Sequence, residues 1–125
     1  MLRLTRPLLQ AAVRSTTGLT GLAVHPDPLP ALSQTYQNTL TTLAQIPSTS
    51  VYRQATEALI QKKLDIVKGA NADITAAEKG LDEGIIEESL LIAIDELKLA
   101  AQMVEWKAWE PLAEKPALGQ WEYPT

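Results

Sequence analysis

Cysteine is absent from the 125 residues. That excludes disulfides, thiolate zinc sites, cysteine-ligated iron–sulfur clusters and cysteine nucleophiles. Phenylalanine is absent as well, and the single histidine, His25, stands next to Pro26. An imidazole without further ligands nearby rarely builds a metal site, so its plain reading is a loop histidine. Long apolar runs are also missing. No stretch approaches ~18 uncharged apolar residues, so no transmembrane helix is expected. The net charge of −4 argues against general nucleic-acid binding. There is no Gly-x-Ser-x-Gly elbow and no Asp-x-Asn-x-Asp-Gly loop, and Gly18-Leu19-Thr20-Gly21 lacks the lysine of a phosphate loop.

What is present is ordinary globular composition, 46% hydrophobic and 21% charged, in a length that suits one small domain. The charge is unevenly placed. Residues 1–26 hold Arg3, Arg6 and Arg14 and no acid, and the remainder carries −7. The segment MLRLTRPLLQAAVRSTTG is basic, hydroxyl-bearing and leucine-rich, which are the features of a mitochondrial transit peptide. The alternative is a basic terminus that stays on the protein. The chain divides into a basic leader (1–15), an extended connector (16–29), a helical bundle (30–106) and a tail (107–125).

The connector holds two glycines and three prolines up to Pro30, which disfavour regular structure. Its Leu19, Leu22 and Val24 are apolar for a solvated loop and are expected to pack on the body or on another protein. Leu32, Tyr36, Leu40 and Leu43 share one face of a first predicted helix, about Pro30–Ile46, stopped by Pro47. Four threonines make it intrinsically weak, so packing must hold it. A second helix follows Ser48-Thr49-Ser50 and ends at Gly69, with Val51, Ala55, Leu59 and Ile66 on one face. Residues 70–83 read as a loop with one helical turn capped by Asp73. A third helix, about Gly84–Trp106, carries a stripe of Ile86, Leu90, Ile94 or Ala93, Leu97, Ala101 and Val104. Leu91, Ile92 and Leu99 make that stripe broader than two partner helices need, which points to an intermolecular contact. Asp82, Glu83, Glu87 and Glu88 crowd its start, where the helix dipole favours anions.

The tail contains Pro111, Pro116, Gly119 and Pro124 and cannot be a helix, yet it carries Trp109, Trp121 and Tyr123 just after Trp106. Either it folds back and its rings seal the bundle, or it is an interface strap, since Trp and Tyr dominate binding hot spots. Arg53, beside Tyr52, has two readings too: a planar fork for a partner's carboxylate or carbonyl, or an i,i+4 pair with Glu57. The expected fold is all-α, a three-helix bundle with an extended connector and an extended Pro/Trp-rich tail.

Particular motifs go further. Thr17-Gly18-Leu19 with Gly21-Leu22-Ala23-Val24, Ile46-Pro47, Tyr52-Arg53, Trp106, Trp109-Glu110-Pro111-Leu112 and Gln120-Trp121 occur in an order and spacing that cover most of the chain. In them the sequence resembles the alpha subcomplex subunit 5 family of mitochondrial NADH:ubiquinone oxidoreductase, respiratory complex I. It departs from that family by a longer amino terminus. The resemblance implies a non-catalytic accessory subunit on the matrix side of the inner membrane, with no cofactor of its own. It implies a place in the peripheral arm near the quinone module, against the thirty-kilodalton-class hydrophilic core subunit. A different class, a free matrix adaptor or assembly factor, would use the same motifs transiently. The candidate partner-binding residues are Leu19, Leu22, Tyr52, Arg53, Trp106, Trp109, Pro111, Trp121 and Tyr123; no catalytic, cofactor-binding or metal-ligating residue is expected.

Overall fold

The computed structural model describes residues 15–124. All but the last residue of the basic leader therefore lies outside the described residues. Four helices follow one another: α1 (Pro28–Leu43), α2 (Val51–Gly69), α3 (Ile74–Leu81) and α4 (Ile86–Trp106). The all-α class holds, and there is no strand among the described residues. The helix count is four rather than three.

α1 is the centre of the molecule, with α4 packed along one side of it and α2 along another. Leu32, Tyr36, Thr39 and Leu43 are fully buried on it. It starts two residues earlier than the periodicity suggests because Pro28 and Pro30 both fit a first turn, where no intrahelical N–H is needed. It ends at Leu43, and Ala44–Ile46 continue as a turn that buries Ile46. Its threonines satisfy themselves. Thr35, Thr39, Thr41 and Thr42 each donate to the carbonyl four residues back, at 2.8–3.0 Å. Thr39 can thus sit in the core without an orphaned hydroxyl.

The buried face of α2 is not the expected one. Thr56, Ile60, Leu64 and Val67 face the core, while Val51, Ala55 and Leu59 are exposed. Ile60, Leu64 and Val67 join Leu32 and Tyr36 of α1 in one core, and Thr56 extends the buried row. On α4 the core face is Ile86, Leu90, Ala93 and Ala100. Ala93 takes the place the spacing left open, and Ile94 and Ala101 are turned outward. The main core joins Leu29, Leu32 and Tyr36 to Ile60, Leu64, Val67, Ala77, Ile86, Leu90 and Ala93. Burial contributes about 2 kcal/mol for each large aliphatic side chain in it.

Residues 74–81 form a full helix rather than one turn. Asp73 caps it by accepting from the N–H groups of Thr75 and Ala76, at 3.1 and 3.4 Å. α3 lies against α2 at Gly80, where a Cβ would meet Ile66 Cγ2 at 2.7 Å. It also serves α4: Glu78 accepts from the N–H of Ile86 at 3.0 Å. Glu88 reaches back to the N–H of Ile85 at 3.1 Å, and Glu83 pairs with Lys63 of α2. Of the acidic crowd at the start of α4, Glu88 is a cap, Glu83 an ion-pair partner and Glu87 buried. Gly84 makes the turn possible. Its φ is +91°, and a Cβ there would stand 2.1 Å from the capping oxygen of Glu88.

Gly84→Ala should cost about 1–3 kcal/mol, from both the left-handed backbone and the displaced cap. Gly69→Ala, at a helical position with open space around the added methyl, should be neutral or stabilising by about 0.5 kcal/mol. Urea unfolding followed by circular dichroism separates the two; equal effects would contradict this account of the turn.

Candidate interaction site

The end of the bundle opposite the α3–α4 turn has a second, smaller core of Leu43, Ile46 and Ala100. Tyr52, Met103, Val104 and Trp109 cover it and are themselves only partly buried. Three stretches remote in sequence meet there: the end of α1, the start of α2 and the end of α4. Ser50 is the N-cap residue of α2 by position, but its side chain makes no capping bond. Local closure comes instead from Arg53 and Gln54. Arg53 donates through Nη1 to the carbonyl of Ile46 and through Nε to Glu57 Oε2 at 3.1 Å, and Gln54 donates to the carbonyl of Ser48 at 2.8 Å. Arg53 thus makes the i,i+4 pair and also pins the α1–α2 loop.

Tyr52 ties α2 to α4 by donating to Glu96 Oε1 at 2.8 Å. Burial first, then the hydrogen bond and charge of Glu96, push its phenol up to about 12. α4 ends at Trp106, and Lys107 turns the chain with a φ of +52° while its N–H closes on Met103. That reversal lays Trp109 back across the start of α2. Between the two elements lies an open cavity of about 260 Å³, lined by Thr49, Ser50, Val51, Tyr52, Met103, Ala108 and Trp109.

Of the residues singled out by sequence, Tyr52, Arg53, Trp106 and Trp109 gather at this end, with Pro111 just beyond. Trp109 is half-buried, and fold-back of the tail applies to it. Trp106 and Pro111 are exposed. Farther along, Leu112, Leu118, Trp121 and Tyr123 stand uncovered, Trp121 at 83% and Tyr123 at 93% exposure. Leu19 and Leu22 belong to a separate turn before α1. There Thr17 donates to the carbonyls of Leu19 and Leu22 and accepts from the N–H of Leu19. Leu19 is exposed and Leu22 partly buried. Sequence reasoning missed Thr49, Ser50, Met103 and Ala108 as walls of the cavity. The one available signal was the Ser-Thr-Ser cap stretch; nothing local marks Met103 or Ala108.

Among the described residues, no group of three or more His, Asp or Glu side chains is placed to hold a metal ion. No helix among them is long and apolar enough to cross a membrane. The groups gathered at the cleft are an indole, a thioether, a phenol and two hydroxyls, a lining suited to contact with an apolar side chain bearing a polar edge.

The fold-linking bond of Tyr52 gives a pH prediction. Its folded pKa lies above the free value of 10.0. The stabilisation it supplies is therefore whole below pH 10 and is lost as pH rises toward 12. Tyr52→Phe should lower stability by about 1 kcal/mol at neutral pH. It should also remove the phenolate step near 12 from an ultraviolet titration; an unchanged titration would contradict the assignment.

Residues 21–88 match the family model described as the ETC complex I subunit conserved region. The chain is 44% identical over 112 residues to NADH dehydrogenase (ubiquinone) 1 alpha subcomplex subunit 5 of Bos taurus, covering 90% of this chain and 96% of the relative. It is 45% identical over 123 residues to the alpha subcomplex subunit MCI4 of Candida albicans, covering 98% and 88%. It is 38% identical over 104 residues to a relative of Arabidopsis thaliana whose name places it in the mitochondrion, covering 83% and 60%. On this footing the chain belongs to the alpha subcomplex subunit 5 family of respiratory complex I.

Proposed function

We propose that the chain is a non-catalytic accessory subunit of mitochondrial complex I, held to the matrix-side peripheral arm near the quinone module. Its work is contact. The cleft between α2 and α4 and the Pro/Trp-rich tail grip the thirty-kilodalton-class hydrophilic core subunit, and the association stabilises the module by mass action. One observation supports this reading above the others. Within the last 20 residues, Trp106, Leu112, Leu118, Trp121 and Tyr123 are large, apolar and uncovered. Isolated apolar side chains on a surface need no explanation; a run of them on a proline-stiffened segment does. Prolines limit the entropy lost when such a segment docks.

Domain roles follow from this reading. The leader 1–15 directs import, the connector, which the start of α1 shortens to 16–27, presents Leu19 beside the bundle, residues 28–106 form the body, and 107–125 act as the strap. The family names of the relatives support membership in the complex, and the name of the Arabidopsis relative supports the mitochondrial address. A free matrix adaptor or assembly factor would be missing from the mature complex, whereas an accessory subunit is present in it one for one.

Trp121→Ala with Tyr123→Ala is the clean variant, because neither ring is covered by the chain itself. Helicity and urea midpoint should stay at the parent values, within about 0.5 kcal/mol. Incorporation into the complex, read on a native gel, should fall, with each anchor contributing about 2 kcal/mol of binding. Normal co-migration of the double variant would sink the strap. Mass spectrometry of the amino terminus from purified complex reports whether the leader is removed.

A further inference from the structure

α2 begins with its donors unmet. The N–H groups of Val51, Tyr52 and Arg53 open the helix, and no acceptor among the described residues takes them up. The first bond back runs from the Gln54 N–H to the Ser50 carbonyl, at 3.1 Å. The first turn holds no acid. α3 and α4 differ, since Asp73 caps the one and Glu88 and Glu78 serve the other. Ser50 stands at the N-cap position of α2 in extended backbone, yet its hydroxyl caps nothing and has no other partner among the described residues. Ser50 is only 7% exposed, and it is a wall of the cleft with Thr49, Val51 and Tyr52. The described side-chain atoms that are sealed from solvent without a partner are Tyr36 Oη, Glu83 Oε2 and Ser89 Oγ. Ser50 Oγ is not among them, so the opening it keeps is toward the cleft.

We propose that this start of α2 holds the side-chain carboxylate of one Asp or Glu from a neighbouring subunit. The inference rests on the accessory-subunit reading and names the group that the cleft recognises. A helix start carries roughly +0.5 of an elementary charge, and its free N–H groups accept an anion where a cap is missing. A carboxylate can take backbone N–H bonds and the Ser50 O–H together, and it meets every one of the orphaned donors with an acceptor.

The cleft selects among anions. Its walls hold no Lys, Arg or His side chain, which a doubly charged phosphate group would call for. Met103, Ala108 and Trp109 offer apolar surface instead, suited to the aliphatic stem of an acidic residue. The chain's own acids on the two flanking helices are engaged elsewhere: Glu57 with Arg53, Glu96 with Tyr52 and Glu105 with Gln102. Glu110, next to Trp109, is exposed and makes no bond to the helix start.

The test uses the complex assembled in mitochondria with variant chains. Ser50→Asp supplies a carboxylate at the cap from within. The urea midpoint of the full chain should rise, because Asp caps well and this Ser caps nothing. Retention in the complex should fall about tenfold, because the site is filled and the incoming anion repelled. A merely structural Ser50 would move both readings in one direction. Retention at the parent level, or midpoint and retention falling together, would overturn the inference. Independently of how Ser50→Asp folds, Thr49→Lys at an exposed position sets an amine on the rim. A carbodiimide then couples it to a carboxylate in contact, and mass spectrometry maps the amide. The expected product joins it to one Asp or Glu of another subunit. An amide to Glu110 or to the carboxy terminus of this chain, to a second copy, or to no protein carboxylate would overturn the inference. Normal retention of Ser50→Asp removes this carboxylate site alone, whereas absence of the parent chain from the mature complex removes the accessory reading itself.

Discussion

Everything in the bundle leans on one weak helix. α1 is built from residues that favour other conformations, with two prolines at its start and four threonines along its length. Yet it buries six side chains, as many as the longer α4. The resolution is chemical. Each threonine hydroxyl finds the carbonyl one turn back, so the helix brings no unmet polar group from those side chains into the core. What it lacks in propensity it regains in burial, because α2 and α4 both close on it. An isolated α1 would not persist, and the molecule folds only as the set.

The two ends of the bundle are finished differently. At the α3–α4 turn, polar groups are spent inward: Glu78 and Glu88 cap α4, and Glu83 meets Lys63. Breaking such a junction would strand donors of a helix start away from water. At the other end, closure is partial. Arg53 and the Tyr52–Glu96 bond fix the loop and the two helices, but a cavity remains and Trp109 covers only part of it. A small chain that finishes one end with caps and leaves the other open under an indole has a rigid body and an unfinished rim.

The all-helical class, the extent of α2, the end of α4 and the non-helical tail were legible in the sequence because the apolar period marks the helices and Pro111, Pro116 and Pro124 break the tail, although α2 runs through Gly69 to an Ala70 cap and α4 ends on Lys107. The errors lie where local rules compete. On α2 the spacing of Val51, Ala55 and Leu59 is as regular as that of Ile60, Leu64 and Val67, and only the geometry of α1 decides which row is covered. α3 was hidden by its length and by Gly80, a poor helix former whose missing side chain is what lets the helix sit against Ile66. Glu78 caps a helix that begins eight residues later, and Tyr52 bonds to a residue 44 positions away. No window on the sequence contains either fact. The walls of the cleft were half legible for the same reason: Tyr52 and Trp109 advertise themselves, whereas Met103 and Ala108 matter only by where the turn at Lys107 puts them.

The absence of cysteine and the scarcity of histidine take on a positive sense beside the exposed surface. A protein with its own chemistry surrounds a reactive group with buried apolar side chains. Here the apolar surplus lies outside, on the rim, the tail and the outer face of α4, while the buried polar groups include the back-bonded Thr39 and the Lys63–Glu83 pair, along with Tyr36 Oη and Ser89 Oγ, which have no partner among the described residues. Such a division leaves a chain whose folding is complete but whose hydrophobic burial is not. Burial scales with apolar area removed from water, so the free energy still available to this molecule is free energy of association. In the proposed assembly, covering these outer surfaces would stabilise the same fold that presents them, the weak central helix included.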